Sequence, residues 1–236
     1  MFWEAALFAF LAGSSALAGA LLGCVNRIKP DWIGLESRHG IMAFGGGALL
    51  AAVCLVLVPY SMEHQHEWYA ISGFFCGGLV FMVIDRYLNK QGSSLSQLIA
   101  LMLDFAPEAI VIGAVITTDY TKAIFLAVII AAQNFPEGFN AYREIMHKGD
   151  SGFVRKHILV TMGVIAFTGP IFAGLGFYLF EVQSVSLSLL MSFCGGGIFY
   201  LVFRDIAPQA QLKAHWLPSF AAVLGFIVGM IGDALV

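Results

Sequence analysis

The chain alternates long apolar runs with short polar connections. Reading for runs of about 20 mostly apolar residues, the length that crosses a bilayer as a helix, gives eight. They cover roughly 3–25, 38–59, 68–88, 97–117, 122–142, 157–180, 185–206 and 216–235. The runs lack the short alternation of barrel strands, and a helix satisfies its own backbone where no water can. The pattern predicts an all-α integral membrane protein of eight transmembrane helices, a single polytopic membrane domain over 1–236. The opening MFWEAALFAF has no basic leader, so it reads as a first span and not as a cleaved signal peptide.

Composition agrees with the pattern. Of 236 residues 59% are hydrophobic and 11% charged, and the mean hydropathy is +0.85. A soluble domain needs more polar surface than this, so the lipid bilayer is the expected partner of most of the chain. The 26 glycines suit close helix packing. Small-residue faces such as Gly73/Gly77 and Gly225/Gly229 permit a homodimer and serve internal packing equally well. No basic, aromatic surface points to nucleic acid. Cys24, Cys54, Cys76 and Cys194 lie scattered in apolar runs without CxxC spacing and read as packing residues.

Charge sets the expected orientation. Arg27, Lys29 and Arg38 fall in the first connection, Arg86 and Lys90 in the third. The fifth holds Arg143, Lys148, Arg155 and Lys156, and the seventh Arg204 and Lys213. Of the 12 basic residues only Lys122 falls on the other side. The excess of positive charge marks the cytoplasmic side, which places both termini outside it, in a plasma (bacterial inner) membrane. The second connection then faces outward. Its Glu63-His64-Gln65-His66-Glu67 reads either as a solvated turn or as a weak metal-collecting site.

The chain also repeats itself. Gly45-Gly46-Gly47, Pro59, Trp68 and Asp85 recur in order as Gly195-Gly196-Gly197, Pro208, Trp216 and Asp233, with an offset drifting from 150 to 148. Five spans separate the copies, so the two lie inverted. Inverted repeats are a transporter architecture with a midplane site between the copies. Here spans 1–3 and 6–8 would surround spans 4 and 5.

Those two central spans carry the chemistry. Asp104 and Glu108 sit half-way along the fourth, and Glu137 half-way along the fifth. An ionisable residue at bilayer depth costs at least a few kcal/mol and is a functional hypothesis by default. Asp104 and Glu108 are four apart and share a helix face, as do Gln133 and Glu137, with Asn134 beside them. Pro107 and Pro136 precede the glutamates and free the carbonyls of Leu103 and Ala132. Two kinked helices would thus turn carboxylates, amides and carbonyls toward one cavity. No Lys or Arg lies in these central segments, so a divalent cation, or protons, must offset the repulsion. The structural alternative is a pair of protonated carboxyl groups bridging the helices.

On these residues the chain resembles the Zrt/Irt-like (ZIP) divalent-metal transporters, as a divergent prokaryotic-type member. Gln133-Asn134-Phe135-Pro136-Glu137-Gly138 is similar to the family's fifth-span motif, and the glycine clusters leading to Pro59 and Pro208 also fit. The resemblance implies eight spans, both termini outside, kinked spans 4 and 5, and a metal ion carried as substrate by alternating access. It implies no enzyme activity and no resident cofactor. Asp104, Glu108 and Glu137 would form the primary site, with Gln133 and Asn134 remaining from a second, adjacent one. Asp104 and Phe105 stand where the family has histidine and asparagine, the sixth span has no acidic residue, and no His-rich third connection exists. One metal site is therefore expected. Zinc is the family default, while the oxygen-rich ligand set makes manganese or iron plausible.

Two other functions compete: a family member that binds metal without transporting it, and an intramembrane hydrolase using an acid pair that includes Asp104. No GxGD, HExxH or serine–histidine arrangement in the spans supports the hydrolase. His39 and Met42 read as packing residues or as part of an exit path. His147, His157 and His215 read as solvated, and Asp85 and Asp233 as helix-end residues that snorkel or cap.

Overall fold

The computed structural model describes residues 1–24, 32–91, 94–147, 155–179, 184–211 and 215–234. Arg27, Lys29, Lys148 and Lys213 lie outside the described residues, as do the side chains of Arg38, Lys90, Asp104 and His147. Among the described residues the chain forms eight helical rods and no strand. We number them α1 (Phe2–Gly23), α2 (Trp32–Ala51, continuing to Glu63), α3 (Glu67–Gln91), α4 (Ser94–Val115), α5 (Tyr120–His147), α6 (Arg155–Leu179), α7 (Val185–Leu201, continuing to Ala210) and α8 (Leu217–Ala234).

Six of the rods contain stretches long and apolar enough to cross a membrane, in α1, α2, α3, α6, α7 and α8. The other two, α4 and α5, are 22 and 28 residues long and are the helices interrupted by mid-helix acids and amides. Large apolar side chains cover the outside of the bundle, Phe75, Val160, Phe167, Ile171 and Ile231 among them. This reverses the pattern of a water-soluble helix, which turns such a face inward, and it makes the molecule an all-α protein suited to a membrane. Trp3, Trp68 and Trp216 stand exposed near helix starts, where interfacial tryptophans sit in membrane proteins.

Local chemistry explains where the rods begin and end. The Thr117 and Thr118 hydroxyls donate to the Ala114 and Val115 carbonyls at the end of α4. Asp119 Oδ1 then accepts from Lys122 N at 2.9 Å and caps α5. Ser184 caps α7 through Leu187 N. Two π-helical turns interrupt α2 at Ala52–Leu57 and α7 at Val202–Ile206. Each precedes a proline, Pro59 or Pro208, whose ring collides with the carbonyl four residues earlier in a regular helix. Widening the turn moves Leu55 and Arg204 aside. Val58 N–H reaches Val53 O, and Ala207 N–H reaches Val202 O, five residues back in both cases.

Packing sorts the rods into two groups, α1, α4, α5 and α6 in one and α2, α3, α7 and α8 in the other. Of the spans 1–3 and 6–8, α1 and α6 are thus the ones packed most extensively against α4 and α5. Glycines are the reason. A Cβ on Gly138 would collide with Ala16 O and one on Gly19 with Phe135 O, closing the α1–α5 seam from both sides. Gly113 meets Ala173 O and Gly176 meets Ile110 O in the same way along α4–α6. Exchanging α1 with α6, α2 with α7, α3 with α8 and α4 with α5 maps the α1–α5 contact onto α6–α4, and α2–α8 onto α7–α3.

The second group uses the same device. Gly47 and Gly225 lie against Ala222 O and Phe44 O between α2 and α8, while Gly77 and Gly196 lie against Phe193 O and Phe74 O between α3 and α7. Gly73 meets the Ser192 side chain and Gly229 meets Ala51. These small-residue faces are thus spent inside the chain. Asp85 ties α3 to α7 near one end: Tyr200 Oη and Arg204 Nε donate to its Oδ2 at 3.0 and 3.1 Å. It is an interhelical ion pair and not a helix-end cap.

Because a side chain at these seams meets backbone, Gly138→Val and Gly113→Val should each cost about 1–3 kcal/mol or more, lowering the unfolding temperature by about 2–10 °C in detergent. Gly163→Ala, whose Cβ finds only Leu17 Cδ2 at 4.0 Å, should stay within about 2 °C. Thermal melts of the three purified variants check the contrast.

Candidate metal site

The glycine seams bring α4 and α5 side by side within their group, and both remain helical through Pro107 and Pro136. Glu108 and Gln133 meet there. The Gln133 Nε2 amide donates to Glu108 Oε1, and the two residues are 7% and 2% exposed. A buried carboxylate is costly unless paired or hydrogen-bonded, so this contact is the main polar event in an otherwise apolar core. Gln133 Oε1 is buried and has no hydrogen-bond partner among the described residues.

Asn134 is equally buried but faces the other way, donating from Nδ2 to Ala12 O of α1 at 3.2 Å. It ties α5 to α1. Glu137 lies one turn beyond Gln133, and the two line a small cavity with Met42, Gly45, Gly46 and Asn140. Met42 thus borders this part of α5 as well as packing with Ala43, Ala210 and Ala221. The Asp104 position is helical, and its side chain lies outside the described residues.

Phe105 accounts for the ground beside the site. Its ring is 1% exposed and fills the gap between α1 and α6, where a Cβ on Gly13 or Gly169 would lie 2.8 or 2.9 Å from Phe105 Cζ. An apolar ring therefore fills space that a polar ligand on α4 would share with α1 and α6. Among the described residues no three His, Cys, Asp or Glu side chains converge. The polar side chains with oxygen atoms here are Glu108, which meets Gln133, and Gln133, Glu137 and Asn140, which line the small cavity. Such a set suits hard divalent cations better than soft ones. The spacing Gln133, Glu137, Asn140, four and then three residues, is the helical-face signal by which Asn140 could have been found in the sequence.

The second and fourth connections approach each other at one end of the molecule. A cavity of about 540 Å³ is lined there by Cys54, Glu63, His64, Asp119, Lys122 and Asp233, joining the second and fourth connections to the end of α8. The histidines of Glu63–Glu67 are used locally. His64 stacks on Tyr60 with ring centroids 4.2 Å apart, and its Nδ1 lies 2.9 Å from Tyr60 O. His66 Nδ1 accepts from Trp68 N at 3.4 Å. The segment is a folded turn between α2 and α3 in which Glu63 and His64 reach the cavity wall.

Comparison with protein-family models returned no match, and comparison with curated proteins returned none either.

Removing the Phe105 ring leaves a cavity in the α1–α4–α6 core. Phe105→Ala should cost about 3–5 kcal/mol, whereas Phe105→Met, close in volume, should cost under about 1.5 kcal/mol. Unfolding midpoints of the two variants in one detergent measure the difference.

Proposed function

We propose that this protein carries a divalent metal ion across a membrane as a divergent ZIP-type transporter. The observation that carries the reading is the Glu108–Gln133 contact: a carboxylate and a carboxamide buried together on neighbouring helices, with a carbonyl oxygen left over. A divalent cation is the ligand that such acceptors fit, because it offsets the buried negative charge and accepts oxygen ligands. Asp104, Glu108 and Glu137 supply charge, and Gln133 supplies its amide oxygen. The Gln133 amide donates to Glu108 in the structure. Rotation of the amide presents Oε1 to an incoming cation instead.

The transport cycle in this reading has eight spans and both termini outside. Ions enter through the acidic outer cavity at Glu63, Asp119 and Asp233, reach the buried carboxylates, and leave at the end that carries most Lys and Arg. The α1/α4/α5/α6 group moves against α2/α3/α7/α8, which keeps the ion open to one side at a time. The exchange symmetry of the packing, and the π turns ahead of both Pro59 and Pro208, support an inverted repeat. Phe105 supports one metal per chain in place of a binuclear centre. The all-oxygen set favours manganese or ferrous iron alongside the family's zinc.

Uptake by protein reconstituted in liposomes, measured with a panel of divalent metals, tests this reading. Glu137→Ala and Glu108→Gln should each cut flux by about tenfold or more, since losing one ligand costs at least about 1.4 kcal/mol. Undiminished flux in Glu137→Ala would sink the site. Tight binding with no flux in the unaltered protein would make it a binder and not a carrier.

A further inference from the structure

The small cavity beside Glu137 is a separate feature from the Glu108–Gln133 contact. It encloses about 20 Å³ between α2, α5 and the π turn of α7, above the roughly 10–15 Å³ that one water-sized occupant needs. Its polar wall is a single stripe of α5. Gln133, Glu137 and Asn140 follow at four- and three-residue spacing, over about 10 Å of helix at 1.5 Å per residue. Gln133 Oε1 and Asn140 Oδ1 are both buried, and neither has a hydrogen-bond partner among the described residues. An orphaned buried acceptor costs about 1–3 kcal/mol. Both of these acceptors belong to residues that line this space, next to a carboxylate.

The opposite wall explains why the space exists. A Cβ on Gly45 would lie 2.8 Å from Pro136 Cγ, and one on Gly46 would lie 2.8 Å from Ile206 Cγ2. A larger residue at either position closes the cavity. Gly47, the third of the run, is spent on the α8 backbone. Gly45 and Gly46 therefore let α2 approach Pro136 and Ile206 at the cavity wall, as Gly47 lets it approach α8.

We propose that this cavity is a second resting position of the transported cation, with Asn140 Oδ1 as a ligand beside Glu137. Gln133 joins the two levels, since it contacts Glu108 and also lines the cavity. The cation passes from the Glu108 level to the Glu137–Asn140 level, one to two turns closer to the end of α5 that carries Arg143. One ion occupies the two positions in turn, because they share Gln133. The inference rests on the transport reading above and adds a residue and a step to it.

The test uses Mn²⁺ as the probe, with equilibrium dialysis of the full chain in detergent and uptake into liposomes. Asn140→Leu should lower Mn²⁺ uptake about tenfold or more while changing Mn²⁺ affinity less than about threefold, because Glu108 still holds the ion. Asn140→Asp, nearly isosteric, adds a charge. It should bind Mn²⁺ about tenfold more tightly and release it more slowly. Gly46→Ala should reproduce the uptake loss of Asn140→Leu by closing the space. Wild-type affinity and uptake in Asn140→Asp would overturn the proposal and leave the cavity to a structural water; this variant decides alone if Asn140→Leu does not fold. Should Glu137→Ala abolish uptake while the Asn140 variants behave as wild type, only this inference fails. A wild-type chain that neither binds nor moves Mn²⁺ overturns the transport reading and this step together.

Discussion

Helices in lipid gain little from burying apolar side chains against one another, so their association depends on close contact and on polar links. In this protein the close contact is backbone on backbone. Gly19 and Gly138 let α1 and α5 touch, and Gly113 and Gly176 do the same for α4 and α6. With both seams closed, α4 and α5 lie side by side and the Phe105 ring fits between Gly13 and Gly169. The distance from Glu108 to Gln133 is a consequence of those seams, since neither residue could hold its helix in place alone.

The buried polar residues divide by task. Asn134 spends its amide on the α1 backbone and Asp85 holds Tyr200 and Arg204 across α3 and α7; both fasten helices. Gln133 and Asn140 stand on one stripe of α5 with Glu137, and each retains a side-chain oxygen without a hydrogen-bond partner among the described residues. That surplus separates a site from a fastener. A protein interior normally pairs its polar atoms, and departures from that rule in a membrane core are where a ligand is to be sought.

The two groups meet across a limited set of contacts, chiefly α2 against α5, with the π turns close by. A π turn has one residue more than the regular helix around it and marks a place where the rod is locally wider. The turn in α7 supplies Ile206 to the small cavity, and the one in α2 supplies Cys54, Leu55 and Val56 to the larger one. Both irregular segments therefore border the spaces through which the proposed route runs.

Much of this could be read along the chain. Apolar runs of bilayer length dictate helices because a backbone in lipid must satisfy itself, and their number and order match the eight rods, with ends displaced by caps such as Asp119. Mid-helix carboxylates beside Pro107 and Pro136 marked the candidate site, since an ionisable group at bilayer depth is costly and is a functional hypothesis by default. Three things were not legible there. Which helices group together was decided by glycine-to-carbonyl contacts between residues far apart in the chain, such as Gly113 with Ala173 and Gly138 with Ala16, which no local pattern encodes. That Asn134 turns to α1 while Glu137 and Asn140 line the small cavity depends on how α5 is rotated against its neighbours. Whether Gly45 and Gly46 pack a helix or keep a space depends on what stands opposite them. The sequence by itself determined the helices and their chemistry, because both follow from single-residue transfer energies. Only the tertiary structure decided which oxygens face one another, because that depends on helix rotation and on the closeness that glycines allow.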